Sequence, residues 1–173
     1  MNIKRTTNSI LSSLNTYQQF LNTIDDELFA QTPGEDIWSY AEVYAHVIRA
    51  NFSSLVAIEK CIHNKTSEAG SISLLGKMIL FFGRFPPVKI KVPESIAKQA
   101  TKISREEARN ELVRLKQKIE SVVPKLQRCG NSGKIKHPRL GMLDACQWLR
   151  FIDIHSTHHL KQLGRITRML TNT

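Results

Sequence analysis

The clearest indication of chemistry in this chain is the run IHSTHH at residues 154–159. His155 and His159 are four residues apart, so on a helix they lie on the same face, about one turn from each other. Two imidazoles placed in this way can bind the same metal ion. His158 is offset by one residue and is expected to point sideways. The pair supplies two ligands, whereas a catalytic metal site normally has three protein ligands and an open position.

His46 is the best candidate for the third ligand. It lies early in the second predicted helix, where Val43, Val47 and Ala50 mark a buried face. If the second and fourth helices are neighbours, His46 can approach the histidine pair. Three neutral imidazoles suit zinc, nickel, cobalt, iron or copper better than magnesium or calcium. The remaining coordination positions would hold water or substrate.

The same histidines also have a purely structural explanation. A single buried histidine in a helix is more often a core residue with satisfied hydrogen bonds than a ligand, and a pair four apart can be half exposed. The spacing alone leaves both interpretations open. His63 and His137 show no spacing that suggests a site.

Hydrolysis at a metal usually needs a general acid or base, and the sequence offers no obvious one. Glu42 is four residues before His46 and shares its face, but a helix-capping role explains it equally well. Asp153 is two residues before His155 and is expected to point elsewhere. Gln162 follows His159 by three residues and could orient a ligand or a bound water.

Long amphipathic helices must position these residues. Apolar residues at intervals of three and four predict a first helix over 3–30, a second over 39–63, a third from Ser104, and a fourth from Gly141 to the C-terminus. Ser39 with Glu42, and Ser104 with Glu107, form capping-box patterns. No segment is predicted to form paired strands.

The stretch from 65 to 102 is less regular and is expected to form a long crossover. It contains a possible short helix over 73–82, followed by an extended or looped stretch over 83–93 with three prolines. The sequence therefore predicts one all-α domain over residues 1–173, a four-helix bundle with a long middle connection.

Composition narrows the class of protein. The three cysteines form no CxxC pair, which favours a reducing compartment, and the longest apolar stretch is far short of the ~20 residues that span a bilayer. We therefore expect a cytoplasmic protein with no membrane partner. The net charge is +10, and the excess lies between Lys77 and Arg139, with 16 basic and 5 acidic residues. That region could attract anions or be a solvated surface; nucleic-acid binding is not expected, since no nucleic-acid motif is present.

The motifs together resemble the DinB/YfiT-like superfamily. Trp38 precedes His46; HPRLG at residues 137–141 is followed by Trp148 and then by His155-x-x-His158-His159-x-x-Gln162. The resemblance implies an up-down-down-up four-helix bundle that commonly binds nickel or zinc at the positions of His46, His155 and His159. It also implies frequent homodimers. Trp38, Trp148, Gln162 and Glu42 are the residues that could line or support the site.

The resemblance implies two kinds of activity on a small-molecule substrate. The family includes metal-dependent hydrolase candidates and transferases that use a low-molecular-weight thiol such as bacillithiol, mycothiol or glutathione. A thiol supplies its own nucleophile, and the basic region, including Lys89 and Lys91, could receive an anionic thiol. The lack of an obvious general base leaves open a third class, a non-enzymatic metal-binding or interaction protein.

Overall fold

The computed structural model describes residues 1–63, 70–86, 101–129 and 133–171. It confirms the predicted four-helix bundle and adds two short helices and a two-stranded hairpin. In chain order the elements are α1 (Ile3–Leu21), α2 (Asp26–Ala30), α3 (Tyr40–His63), α4 (Leu74–Phe82), α5 (Arg105–Cys129), β1 (Lys134–His137), β2 (Gly141–Asp144) and α6 (Ala145–Thr171).

In the bundle, α1 and α3 each pack against both α5 and α6. The direction of α3 relative to α6 follows from contacts at their opposite ends. The Tyr40 hydroxyl near the start of α3 donates to Thr167 Oγ1 near the end of α6, at 2.9 Å. Cys61 near the end of α3 contacts the carbonyl of Leu143, just before α6. The two helices are therefore antiparallel.

The long crossover lets α3 and α5 run in the same direction. Arg49, midway along α3, donates to Thr101 just before α5, and Lys118, midway along α5, pairs with Glu59 near the end of α3. The two helices are therefore parallel.

The orientation of α1 completes the topology. Arg105, the first residue of α5, donates to the carbonyl of Ile24, just beyond the end of α1. Because the end of α1 meets the start of α5, these two helices are antiparallel. The bundle is thus up-down-down-up in the order α1, α3, α5, α6, as the resemblance implied.

The core lies between the apolar faces that the helical spacing predicted. Burying a large apolar side chain such as Leu or Ile contributes roughly 1.5–3 kcal/mol relative to leaving it in water. The fully or almost fully buried residues include Ile10, Leu14, Tyr17 and Leu21 of α1, Val43, Val47, Leu55 and Ile58 of α3, Ala108, Leu112, Leu115, Ile119 and Val122 of α5, and Leu149, Ile152, Leu163 and Ile166 of α6.

The predicted first helix over 3–30 is wrong as one element, because the chain breaks into α1 and α2. The Asp25 side chain accepts a hydrogen bond from the backbone N–H of Leu28 at 2.8 Å, which caps a new helix. An aspartate at this position satisfies an N–H that the first turn otherwise leaves unpaired. The apolar residues Ile24 and Leu28 continue the helical spacing across the break, so the spacing did not indicate that the helix ends there.

The expectation of no paired strands is also wrong. β1 and β2 pair antiparallel, with Ile135 opposite Leu143. Gly141 has φ +79°, and a Cβ there would lie 2.6 Å from the carbonyl oxygen of Ser71, so a side chain would prevent this approach. The N–H of Met142 donates to the same oxygen, which fixes the segment before α4 against the hairpin.

The fourth helix consequently begins later than predicted, at Ala145. The backbone N–H of Asp144 donates to Gln147 Oε1, and the N–H of Gln147 donates to Asp144 Oδ1, which is a reciprocal cap.

The short helix predicted over 73–82 is present as α4. Ser73 caps its start through the N–H of Gly76, and Gly83 ends it in the left-handed conformation. Most of the loop predicted over 83–93 lies outside the described residues, which stop at Pro86 before resuming at Thr101. None of the described helices combines the length and apolar character needed to cross a membrane.

Candidate metal centre

The antiparallel packing of α3 on α6 brings the three predicted histidines together. His46 faces α6 from the first half of α3, while His155 and His159 face α3 from one side of α6. Each of the three offers a ring nitrogen, and these nitrogens all lie within 4.8 Å of one another. His155 and His159 are buried and His46 is half-buried, so the cluster has one side open to solvent.

The distance between His46 and His155 fits a shared metal ion. His46 Nε2 and His155 Nε2 are 3.1 Å apart. Two nitrogens bound to one zinc-like ion at ~2.0–2.1 Å, at angles between octahedral and tetrahedral, lie about 2.8–3.4 Å apart. The same distance also permits a hydrogen bond between the two rings in the metal-free protein. The donor set, three imidazoles and no described carboxylate, suits zinc or nickel better than magnesium or calcium.

Gln162 fixes the tautomer of His159. Its Oε1 lies 2.7 Å from His159 Nδ1. An amide oxygen only accepts, so Nδ1 carries the proton and Nε2 keeps its lone pair. This arrangement, in which the second ring nitrogen donates to a neighbouring oxygen, is the usual support of a metal-binding histidine. The structure therefore places Gln162 beside the cluster.

His155 is held by a different device. The ring of Phe151, one turn earlier on α6, stacks on it at 5.2 Å with an interplanar angle of 29°. His155 Nδ1 is buried and has no hydrogen-bond partner among the described residues. Its ring orientation therefore depends on packing and on its contact with His46.

Burial keeps these imidazoles neutral at pH 7. Loss of solvation, helped by the Arg49 charge, lowers the pKa of His46 to about 4. Loss of solvation and the proximity of His46 lower the pKa of His159 to about 3, against a small opposing effect of Gln162. Complete burial lowers the pKa of His155 in the same direction. Because neutral imidazole is the form that binds metal, little free energy is spent on removing protons before an ion binds.

The two tryptophans occupy different positions relative to the cluster. The Trp38 ring lies 5.0 Å from that of His46 and covers it. The Trp148 ring instead lies 5.0 Å from His137 and 6.0 Å from Phe151. Trp148 thus supports Phe151, which in turn stacks on His155.

His137 organises the hairpin. Its Nδ1 accepts hydrogen bonds from the N–H groups of Arg139 and Leu140, at 3.1 and 3.2 Å, across the turn between β1 and β2. Burial, with a smaller effect of Arg139, lowers its pKa to about 4. This residue belongs to the HPRLG run, and its role in the turn explains why a histidine is useful there.

Both carboxylates considered as catalytic groups are engaged elsewhere. Glu42 Oε2 accepts from the N–H and the hydroxyl of Ser39, at 2.8 and 2.7 Å, and the N–H of Glu42 returns a bond to Ser39 Oγ. This capping box accounts for Glu42 without a catalytic role. Asp153 pairs with Arg150 at 2.6 Å, which agrees with the expectation that it points elsewhere.

The sequence reasoning missed Phe85 and undervalued His158. The Phe85 ring lies 4.9 Å from His158 and 6.4 Å from His155. The His158 ring stands perpendicular to that of His159, at 5.0 Å, and so lies at the edge of the cluster. Phe85 lies just after α4 and is 70 residues before His155 in the sequence. No spacing pattern in the sequence could therefore have revealed this contact.

A bundle of this topology, with a histidine cluster that could hold a metal ion between its second and last long helices, defines a class of four-helix proteins. The chain matches the model of the DinB superfamily over residues 11–163. It therefore belongs to the DinB superfamily.

The chain is also similar to one curated protein and, in fold, to solved four-helix bundles. The uncharacterised protein YuaE of Bacillus subtilis is 24% identical over 146 residues, covering 84% of this chain and 87% of YuaE. Among solved structures, YfiT of Bacillus subtilis matches 98% of this chain and 87% of its own, with TM-score 0.66 and 12% identity, and is described as a probable metal-dependent hydrolase with an unusual four-helix bundle topology. The four-helix bundle protein TT2238 covers 95% of this chain and 99% of its own, with TM-score 0.54 and 17% identity.

Proposed function

We propose that this protein binds one divalent ion, nickel or zinc, through His46, His155 and His159, and acts as a metal-dependent hydrolase on a small molecule. The convergence of three neutral imidazoles on one point is the observation that carries the proposal. The description of YfiT as a probable metal-dependent hydrolase supports the reaction class.

The surrounding residues have defined tasks in this proposal. Gln162 holds His159 with Nε2 free, and Phe151 holds the ring of His155. The ring of Trp38 packs beside that of His46. A bound ion would act as a Lewis acid, polarising the substrate and lowering the pKa of water in the open position.

A second candidate reaction, thiol-dependent S-transfer, is favoured by the engagement of Glu42 and Asp153. Transfer of a thiol to an alkyl or aryl halide forms the S–C bond, breaks the C–halogen bond and releases halide, while the thiol proton passes to solvent. No protein carboxylate is needed, because a divalent ion stabilises the thiolate. Lys89 and Lys91, considered as a site for an anionic thiol, lie outside the described residues.

The remaining parts of the proposal concern the state of the protein in the cell. We place it in the cytoplasm, as a homodimer, acting on a small molecule rather than on nucleic acid or a membrane. The alternative is a metal-binding or interaction protein without catalysis, which the activity test below separates from an enzyme.

Metal content by mass spectrometry of the untagged protein is the first test. We expect about one equivalent of nickel or zinc in the wild type, and its loss in His155→Ala and in His159→Ala. His63→Ala, at the exposed end of α3, is the matched control and should retain the ion. Absence of metal from the wild type, even after reconstitution with both ions, would contradict the proposal.

Activity then separates the two reactions. The metal-loaded protein is incubated with p-nitrophenyl acetate for hydrolysis, and with 1-chloro-2,4-dinitrobenzene plus glutathione or cysteine for transfer. Ester turnover that disappears in His159→Ala supports the hydrolase, and thiol-dependent chloride release that disappears in the same variant supports the transferase. A metal-loaded protein that is inactive across wider panels of esters, amides and electrophiles would leave the non-enzymatic class.

A further inference from the structure

A small apolar cavity is lined by residues of α4 and of the segment that follows it. Its volume is about 180 Å³, and its lining includes Leu75, Met78, Ile79, Phe82, Arg84 and Phe85. Ile79 forms a buried wall, whereas Met78 and Phe82 are largely exposed and leave the cavity open to solvent. A cavity of roughly 150 Å³ lined by apolar side chains holds a molecule of benzene, so this one admits a group of similar size.

Phe85 joins this cavity to the histidine cluster. Phe85 is one of the residues that line the cavity, and its ring also lies 4.9 Å from His158 and 6.4 Å from His155. Phe85 therefore contacts both the cavity and the edge of the histidine cluster.

Charge narrows the class of molecule. Arg84 is the charged residue among the described residues that line the cavity, and it is exposed. The chain as a whole carries a net charge of +10. An anionic group at the cavity mouth is therefore favoured over a cationic one.

We infer that the α4 cavity, as defined by these lining residues, is the substrate pocket of the proposed metal centre, and that it selects small molecules with an apolar group of about benzene size and an anionic substituent. This inference rests on the proposed function, because it assigns the substrate class of the same site. Met78 and Phe85 set the size of the apolar group, and Arg84 favours the anionic substituent.

Binding of two probes, phenylacetate and the neutral benzyl alcohol, tests the inference by NMR on ¹⁵N-labelled protein. We expect both to shift the backbone amides of Leu75, Ile79 and Phe85. Met78→Trp, which places an indole in the cavity from a position that is 47% exposed, should weaken both probes about tenfold or more. Met169→Trp is the matched control at 46% exposure on α6, and it should leave both affinities unchanged.

The charge preference has its own variant. Arg84→Gln should weaken the binding of phenylacetate about two- to fivefold, which is the usual contribution of an exposed ion pair, and leave the affinity for benzyl alcohol unchanged. Arg168→Gln removes the same charge from the last turn of α6 and should alter neither probe. Equal effects of Arg84→Gln on both probes would overturn the anionic preference.

Cobalt-loaded protein tests whether the cavity serves the metal centre. The paramagnetic ion should accelerate relaxation of the bound phenylacetate protons, compared with zinc-loaded protein. If the protein takes up none of nickel, zinc and cobalt, the proposed function fails. If the protein takes up cobalt but the relaxation of the phenylacetate protons is not accelerated, the inference alone is overturned. The same holds if the amide shifts caused by the probes lie mainly outside α4 and Met78→Trp does not weaken probe binding.

Discussion

Acidifying the metal-free protein is expected to destabilise it through its buried histidines, and His46 allows the effect of one of them to be measured. In the folded chain its pKa is lowered to about 4, chiefly by burial. The unfolded chain has the ordinary value of about 6.5. Between these values the unfolded state binds more protons than the folded state, so stability is full above pH 6.5 and falls as the pH falls toward 4.

The expected magnitude follows from the two pKa values. Between pH 7.5 and pH 5.5 the unfolded state gains nearly one proton at His46 while the folded state gains almost none, which costs about 1 kcal/mol. His155 and His159 are lowered in the same direction, so the whole protein should lose several times that amount. The variant His46→Gln should lose about 1 kcal/mol less than the wild type over this interval.

Urea unfolding followed by circular dichroism, with a chelator present, measures this difference at each pH. The effects of groups that are common to both proteins cancel in the comparison. His63→Gln, which removes an exposed histidine at the end of the same helix, is the matched control. A His46→Gln curve that ran parallel to that of the wild type would refute the reasoning, because it would mean that His46 titrates in the fold as it does in the unfolded chain.

Three further predictions concern single residues. Gln162→Leu should weaken zinc or nickel binding about 10- to 100-fold, measured by competition with a chromogenic chelator, because His159 loses the partner that orients it. Ser39→Ala should lower the free energy of unfolding by about 1 kcal/mol in urea titrations and leave metal content unchanged, since it removes the cap of α3. Leu115→Ala should cost about 2–5 kcal/mol in the same titrations, because it opens a cavity in a fully buried part of α5. An unaltered metal affinity would contradict the first prediction, loss of the metal ion in Ser39→Ala the second, and an unchanged urea midpoint in Leu115→Ala the third.

The bundle itself could be predicted because its signals are local. The helical spacing of apolar residues and the capping patterns at Ser39 and Ser104 determine where α3 and α5 start, and both caps are present. The break between α1 and α2 was missed because a helical spacing of apolar residues says nothing about the backbone between them. The hairpin was missed because four-residue strands are too short for their alternation to be distinguished from the start of a helix.

The candidate site was predictable only in part, for a related reason. The spacing of His155 and His159 places both on one helix face, and His46 follows once α3 and α6 are neighbours. Phe85 and Phe151 depend on tertiary packing, and nothing in their sequence surroundings distinguishes them from other core aromatics. Glu42 could be interpreted as a cap or as a base, and in the structure its carboxylate accepts a hydrogen bond from the Ser39 hydroxyl, which is the capping arrangement.

The histidines of the cluster are far apart along the chain: His46 and His155 are separated by 109 positions. Neither α3 nor α6 alone carries more than two of the three nitrogens. An unfolded or partly folded chain therefore offers an ion an incomplete set of ligands and binds it weakly. An ion would therefore bind tightly only after the crossover has brought the two helices together. Its binding would add about 2.7 kcal/mol to the free energy of unfolding when the free ion is at a hundred times its dissociation constant. Release of the ion would be an early signal that α3 has begun to separate from α6.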